Sequence, residues 1–132
     1  MNNLFEAQRA FVPKLIGEVV TAPVIVCGGM GGSALPALVL RFLGASPYVI
    51  VHRDYAVPAH LPEGTACIAI SFSGNTEETY SFAEDALLKG MPLSIIASGG
   101  KLLEFAKTHG LSYVEVPVEG EPRDAILSTT KA

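Results

Sequence analysis

Ile68-Ala69-Ile70-Ser71-Phe72-Ser73-Gly74-Asn75-Thr76-Glu77-Glu78-Thr79 begins as an apolar run of strand formers and ends as the first turn of a helix. Between the two lie hydroxyls, a glycine and an amide, with no hydrophobic side chain after Phe72. A strand that enters a helix through such a turn leaves unpaired backbone N–H groups at the helix start. Those donors, the positive end of the helix dipole and the hydroxyls of Ser71, Ser73 and Thr76 together predict an anion site, with phosphate the best fit. The turn lacks the Gly-Lys-Ser/Thr of a nucleotide P-loop. A strand end followed by a helix cap would explain one of these polar residues, not the whole cluster. Glu77 and Glu78 suit the positive helix end but would repel a bound phosphate, so the reading needs them turned outward.

The rest of the chain narrows what that site can be. Its 132 residues suffice for one domain. With 49% apolar and 17% charged residues, a packed core is expected. A net charge of −4 and the absence of a Lys/Arg cluster argue against nucleic acid. Any phosphate must therefore be held by backbone donors and hydroxyls instead of a basic field. Cys27 and Cys67 lie in apolar runs outside any Cys-x-x-Cys, which predicts two buried free thiols. His52, His60 and His109 are scattered without ligand spacing, so no metal site is expected. Val19 to Leu40 is uncharged, but Pro23, Pro36 and its glycines exclude one continuous spanning helix. The N-terminus carries Glu6 and Arg9 and no signal-like apolar run, so a soluble cytoplasmic protein is expected.

In chain order, residues 2–20 read as an amphipathic helix through Leu4, Gln8, Phe11, Leu15 and Val19, interrupted at Pro13. Val24 to Cys27 reads as a buried strand and leads into Gly28-Gly29-Met30-Gly31-Gly32-Ser33. A helix is predicted from about Ala34 to Leu43, ended by Gly44. Further strands are predicted at 47–51, 65–72, 92–97 and 112–116, with helices at 77–89 and 101–109. Residues 52–64 contain Pro58 and Pro62 and read as loop. Residues 117–132 show no clear pattern.

Strands alternating with helices predict an α/β fold with a five-stranded parallel sheet. Ligands of such sheets sit beyond the carboxyl ends of the strands, where strand order switches. The glycine turn after the first strand and the Ser-Gly-Asn-Thr turn both lie at that edge. A rival reading exists. Gly29-x-Gly31-x-x-Ala34 fits the loose dinucleotide fingerprint, and Asp54 stands roughly 20 residues on, where a ribose contact belongs. It leaves the Ser-Gly-Asn-Thr turn unexplained. Arg123, by composition alone, reads as a surface charge, and Lys101, after two glycines at a helix start, reads as a surface charge or one that reaches the crevice.

Gly29-Met-Gly-Gly-Ser33, Ser71-Phe-Ser-Gly-Asn-Thr-Glu-Glu-Thr79 and Pro122-Arg123 together resemble the sugar isomerase (SIS) domain. The likeness is strongest to the N-terminal half of the bifunctional phosphoglucose/phosphomannose isomerase family. Arg53-Asp54-Tyr55 with Pro58, and Ser98-Gly-Gly-Lys-Leu102, resemble that family's loops, so the similarity runs over about residues 20–125. The resemblance implies a three-layer flavodoxin-like fold, with a helical segment at 1–20, the SIS domain at 21–120 and a tail at 121–132. It implies a sugar phosphate as ligand, with Ser71, Ser73 and Thr76 at the phosphate, Gly32 and Ser33 along the sugar, and Gly31, Gly74 and Asn75 as further substrate-binding residues. Arg123 is implied as the catalytic residue that stabilises an enediolate between C1 and C2. No cofactor is implied.

The family's catalytic Glu and His come from a second SIS half, and no residue here matches them. The expectation is therefore a fragment, half of a split enzyme or a stand-alone binding module. Homodimerisation or a second SIS-domain chain is the implied partnership.

Overall fold

A computed structural model of the chain describes residues 14–18, 22–34 and 48–117. One sheet is built from β1 (Leu15–Ile16), β2 (Val24–Gly28), β3 (Tyr48–His52), β4 (Ala66–Ser71), β5 (Leu93–Ala97) and β6 (Ser112–Glu115). Helices α1 (Glu77–Leu88) and α2 (Gly100–Thr108) connect the last three strands, and Gly31–Ala34 forms a single 3-10 turn after β2. The spatial order is β1-β6-β5-β4-β2-β3, parallel throughout except for β1 against β6.

The sheet is buried on both faces, as its uninterrupted apolar strands require. Along β4 the side chains alternate. Cys67 and Ala69 enter the core under α1 and α2, while Ile70, followed by Phe72, enters a second cluster on the opposite face with Val49, Ile96 and Val114. The buried stripe of α1, Thr79, Phe82, Ala83 and Ala86, has the three-to-four-residue spacing of one helix face. Phe82 is fully buried, which contributes about 1.5–3 kcal/mol of hydrophobic stabilisation. Its ring lies so close to the end of β2 that a Cβ on Gly28 would come within 2.6 Å of it. Helix α1 can settle onto β2 there only because that position carries no side chain. Tyr80 meets Phe105 edge to face at 5.4 Å and ties α1 to α2.

The chain builds β2, then β3 on one side, then returns across β2 to place β4 on the other. This is the flavodoxin-like order, with its switch between β2 and β4. The expected parallel sheet is thus present, enlarged by an antiparallel edge strand. At residues 14–18 that strand corrects the helix expected over residues 2–20, the rest of which lies outside the described residues. Leu15 and Ile16 pair with Val114 and Tyr113, and both remain partly exposed. Gly17, at φ +104°, takes the chain off the strand, and Ser112 Oγ donates to Glu18 O at 2.8 Å. The open edge of β6 offered backbone partners that outweighed a helical pattern already broken by Pro13. The helix expected at 34–43, the tail and Arg123 lie outside the described residues.

The loop expected at 52–64 is irregular chain from Arg53 to Thr65, laid along α1. Ser81 Oγ accepts from Ala56 N–H at 3.2 Å, and Asp85 Oδ2 accepts from Val57 N–H at 2.8 Å. Lys89 Nζ reaches the same carboxylate oxygen at 2.9 Å. These two interactions hold the Asp85 carboxyl below its ordinary value.

Candidate functional site

The two glycine-bearing turns meet at the switch point. Ser33 Oγ, buried at the end of the 3-10 turn, accepts from the N–H of Phe72 at 3.0 Å. Gly29 packs against the backbone of Ile70, where a Cβ would stand 3.1 Å from the carbonyl oxygen. Gly29 N–H in turn donates to His52 O at 3.1 Å, so the ends of β3, β2 and β4 close on one another.

Within the Ser71–Thr76 turn every hydroxyl has a defined task. Ser71 is 1% exposed, and its Oγ accepts from Gly74 N–H at 3.0 Å. It also shares a hydrogen bond with Thr76 Oγ1 at 3.0 Å. If Ser71 is the donor in that pair, the half-buried Thr76 keeps its own O–H for a ligand. Ser73 is exposed, and its Oγ accepts from Asn75 N–H at 3.2 Å, which leaves its proton free to donate outward. Gly74 takes φ +77°, and its Cα lies against Gly99 O, where a Cβ would collide. Only glycine fits there.

Thr76 occupies the cap position of α1 yet makes no side-chain cap hydrogen bond, because its hydroxyl is turned to Ser71. The first N–H groups of α1 are therefore left to point past the turn. Helix α2 starts differently. Its Lys101 N–H donates to Asn75 Oδ1 at 3.0 Å, and Leu102 N–H donates to Gly74 O at 2.8 Å. Ser98 completes the dock by donating from both N–H and Oγ to Phe72 O.

The expected site residues thus separate by task. Ser33, Ser71, Ser73, Gly74, Asn75 and Thr76 lie together at the carboxyl edge of β2 and β4, with Gly31 and Gly32 opening the adjacent turn. Ser71 is enclosed, and Asn75 spends its side-chain oxygen on α2. Glu77 is exposed and Glu78 half-buried, whereas the anion reading asks for both turned outward. The Tyr55 phenol is held above its ordinary value by desolvation, then by the carboxylates of Glu77, Glu78 and Asp54. Asp54 Oδ1 accepts from Tyr55 N–H at 2.7 Å, a local turn contact. Two residues of the same edge were not singled out as site residues from the sequence: Ser98, which braces the turn, and Thr79, whose buried Oγ1 has no partner among the described residues.

Clefts of about 570 and 580 Å³ lie beside the turn, and Asn75, Tyr80 and Lys101 line both. Cys27 and Cys67 are buried on opposite faces of the sheet, the first thiol pushed up to about 12 and the second to about 11, mainly by burial. Thiol chemistry at the site is not supported by that placement. Among the described residues no cluster of His, Cys, Asp and Glu could hold a metal ion. No helix among them is long and apolar enough to cross a membrane.

No family model matches the chain. Curated relatives do. The chain is 43% identical over 105 residues to a bifunctional phosphoglucose/phosphomannose isomerase of Caldicellulosiruptor bescii, covering 77% of the chain and 31% of that protein. It is 34% identical over 122 residues to the D-glucosamine-6-phosphate 4-epimerase of Sulfolobus acidocaldarius, covering 89% of the chain and 39% of the epimerase. Among solved structures, the Vibrio vulnificus NanR protein complexed with ManNAc-6P superposes with a TM-score of 0.62 at 18% identity, over 98% of this chain and 50% of that one. The chain spans about a third of the length of the curated relatives it matches. Over the matched residues it is a homologue of the bifunctional phosphoglucose/phosphomannose isomerases and has the SIS fold.

Proposed function

We propose that this chain is the phosphate-gripping SIS domain of an aldose–ketose phosphate isomerase acting on phosphorylated glucose, mannose or fructose. The observation that carries the reading is the uncapped start of α1 beside the hydroxyls of Ser73 and Thr76. A phosphate dianion only accepts hydrogen bonds, and this edge presents N–H and O–H donors with the positive end of a helix behind them. Hydrogen bonds to a charged group contribute about 1.5–3 kcal/mol each, so a few suffice without a lysine or arginine. Ser71 and Gly74 set the geometry from beneath, and Gly31, Gly32 and Ser33 line the route the sugar takes from the phosphate.

Two matched relatives support the division of labour. One is named for isomerising phosphorylated glucose and mannose, the other for epimerising glucosamine-6-phosphate at C4. Their names share a phosphorylated hexose and differ in the carbon that reacts. A segment common to both suits the shared task of holding the phosphate. In the isomerase reading, Arg123 stabilises the enediolate while an acid and a base from a second SIS domain move the proton. That domain is supplied by the same polypeptide, by another copy or by another chain in the cytoplasm, and no cofactor or metal takes part.

A second reading, a binding module without turnover, rests on the described site holding ligand donors but no residue matching the family's proton-transferring pair. A thermal-shift series with hexose phosphates and an isomerase assay separate the two. Stabilisation by glucose-6-phosphate or fructose-6-phosphate with interconversion supports the first reading, and stabilisation alone supports the second. Stabilisation by neither sugar phosphate overturns both. Stabilisation by NAD(H) instead would restore the dinucleotide alternative. Light scattering that finds a monomer at high concentration would contradict homodimerisation.

A further inference from the structure

Lys101 stands where the fold does not ask for a cation. It is the second residue of α2, and a positive charge in the first turn of a helix opposes the helix dipole. It is exposed and makes no ion pair among the described residues, where the one such pair joins Lys89 to Asp85. Its root is nevertheless fixed. The Lys101 N–H is held by Asn75 Oδ1 at 3.0 Å, and a Cβ on Gly100 would stand only 2.5 Å from Ser73 O. The backbone that carries Lys101 is thus pressed against the turn that carries Ser73 and Thr76. Lys101 lines both clefts beside that turn, in one with Glu104 and in the other with Asn75 and Glu77. Glu77 is the first residue of α1, so a carboxylate that repels a dianion stands at the mouth of the anion site.

We infer that Lys101 is a specificity-determining residue of the anion site, its ammonium offsetting Glu77 across their shared cleft and favouring a phosphate dianion over a singly charged head group. The inference rests on the phosphate reading above. The donors of the α1 turn supply the grip, and Lys101 adds a point charge on a flexible four-carbon stem. Only the ammonium is recruited, and the Lys101 N–H stays on Asn75 Oδ1. Coulomb attraction scales with the charge of the ligand, so one ammonium attracts a dianion about twice as strongly as a monoanion at the same distance. A cation that is unfavourable for α2 and unpaired in the ligand-free chain thereby gains its counter-ion when the site is loaded.

The test compares wild type, Lys101→Met and Lys101→Arg by calorimetric titration with glucose-6-phosphate and with glucose-6-sulfate, and by melting without ligand. At about pH 8 the phosphate ester is a dianion, while the sulfate ester carries a single charge. Methionine keeps most of the stem and removes the ammonium. For Lys101→Met at low salt, affinity for the phosphate should fall about tenfold and for the sulfate about threefold. The loss for the phosphate should shrink to about twofold in about 0.5 M KCl, as a screened charge requires. Lys101→Arg should stay within about threefold of wild type, and the ligand-free melting temperature of Lys101→Met should equal or exceed that of wild type. Equal phosphate affinity of wild type and Lys101→Met would overturn the inference while leaving the phosphate reading intact. An equal loss for both esters would also overturn it, and so would a lowered ligand-free melting temperature in Lys101→Met, because Lys101 would then serve the fold. Wild type that binds no sugar phosphate would sink the phosphate reading itself, and the inference with it.

Discussion

Helices α1 and α2 begin alike and end up with opposite roles. Each follows a parallel strand through a serine- and glycine-bearing turn at the same edge of the sheet. At α2 the first donors are consumed inside the protein, Lys101 N–H by Asn75 Oδ1 and Leu102 N–H by Gly74 O. At α1 the cap residue turns away, and no side-chain cap takes the first donors among the described residues. The α2 start is thus a buttress for the α1 turn. The same physics, a helix end with orphan N–H groups, becomes structure where a neighbour satisfies it and, in the function proposed above, a binding site where none does.

The strongest way to break this pairing is Gly74→Ala. The φ of +77° and the collision with Gly99 O force the α1 turn off α2. A loss of about 3 kcal/mol or more in denaturant unfolding is expected, together with loss of sugar-phosphate binding. Alanine at 74 with wild-type stability would show that the two turns are not docked as described.

Ser73→Ala and Asn75→Ala sharpen the contrast. Ser73 is exposed, with one local bond, so its loss should leave stability within about 0.5 kcal/mol and weaken phosphate binding about tenfold. Asn75 caps α2, so its loss should cost about 1 kcal/mol of stability and weaken binding less than Ser73→Ala does. Titration and melting of the two variants side by side check the crossing, and the reverse ranking would exchange the roles of the helices.

The smallest effect concerns the strap on α1. The Asp85 carboxyl titrates lower in the folded chain than in the unfolded one, because Val57 N–H and Lys89 favour its charged form. Its stabilisation is therefore present above the unfolded value of about 3.9 and fades as pH falls through the folded value below it. Melting curves of wild type and Asp85→Asn should differ most above about pH 5 and draw together as pH falls below the unfolded value. A gap that widens in acid would contradict the clamp.

Much of this was legible in the sequence, for identifiable reasons. The runs Val24 to Cys27 and Ile68 to Phe72 are continuous strand formers, and glycines and prolines mark their ends, so the parallel sheet and its two edge turns could be placed. Leu15 and Ile16 were misread because a two-residue edge strand leaves no period of its own inside an amphipathic pattern. The burial of Ser71 was hidden for a different reason. A hydroxyl in a turn looks the same in sequence whether it faces solvent or satisfies Gly74 N–H behind the loop. Asn75 found its partner 26 positions away, beyond the reach of any local capping rule. Thr79 sits inside the quoted motif, but only packing shows that its hydroxyl is left unpaired.

Backbone amide chemical shifts during titration with glucose-6-phosphate test the open-versus-closed contrast most directly. The large movements should fall on Glu77, Glu78 and Thr79 at the start of α1, while Lys101 and Leu102 at the start of α2 barely respond. Movements centred on Lys101 and Leu102, or none at either helix, would contradict it.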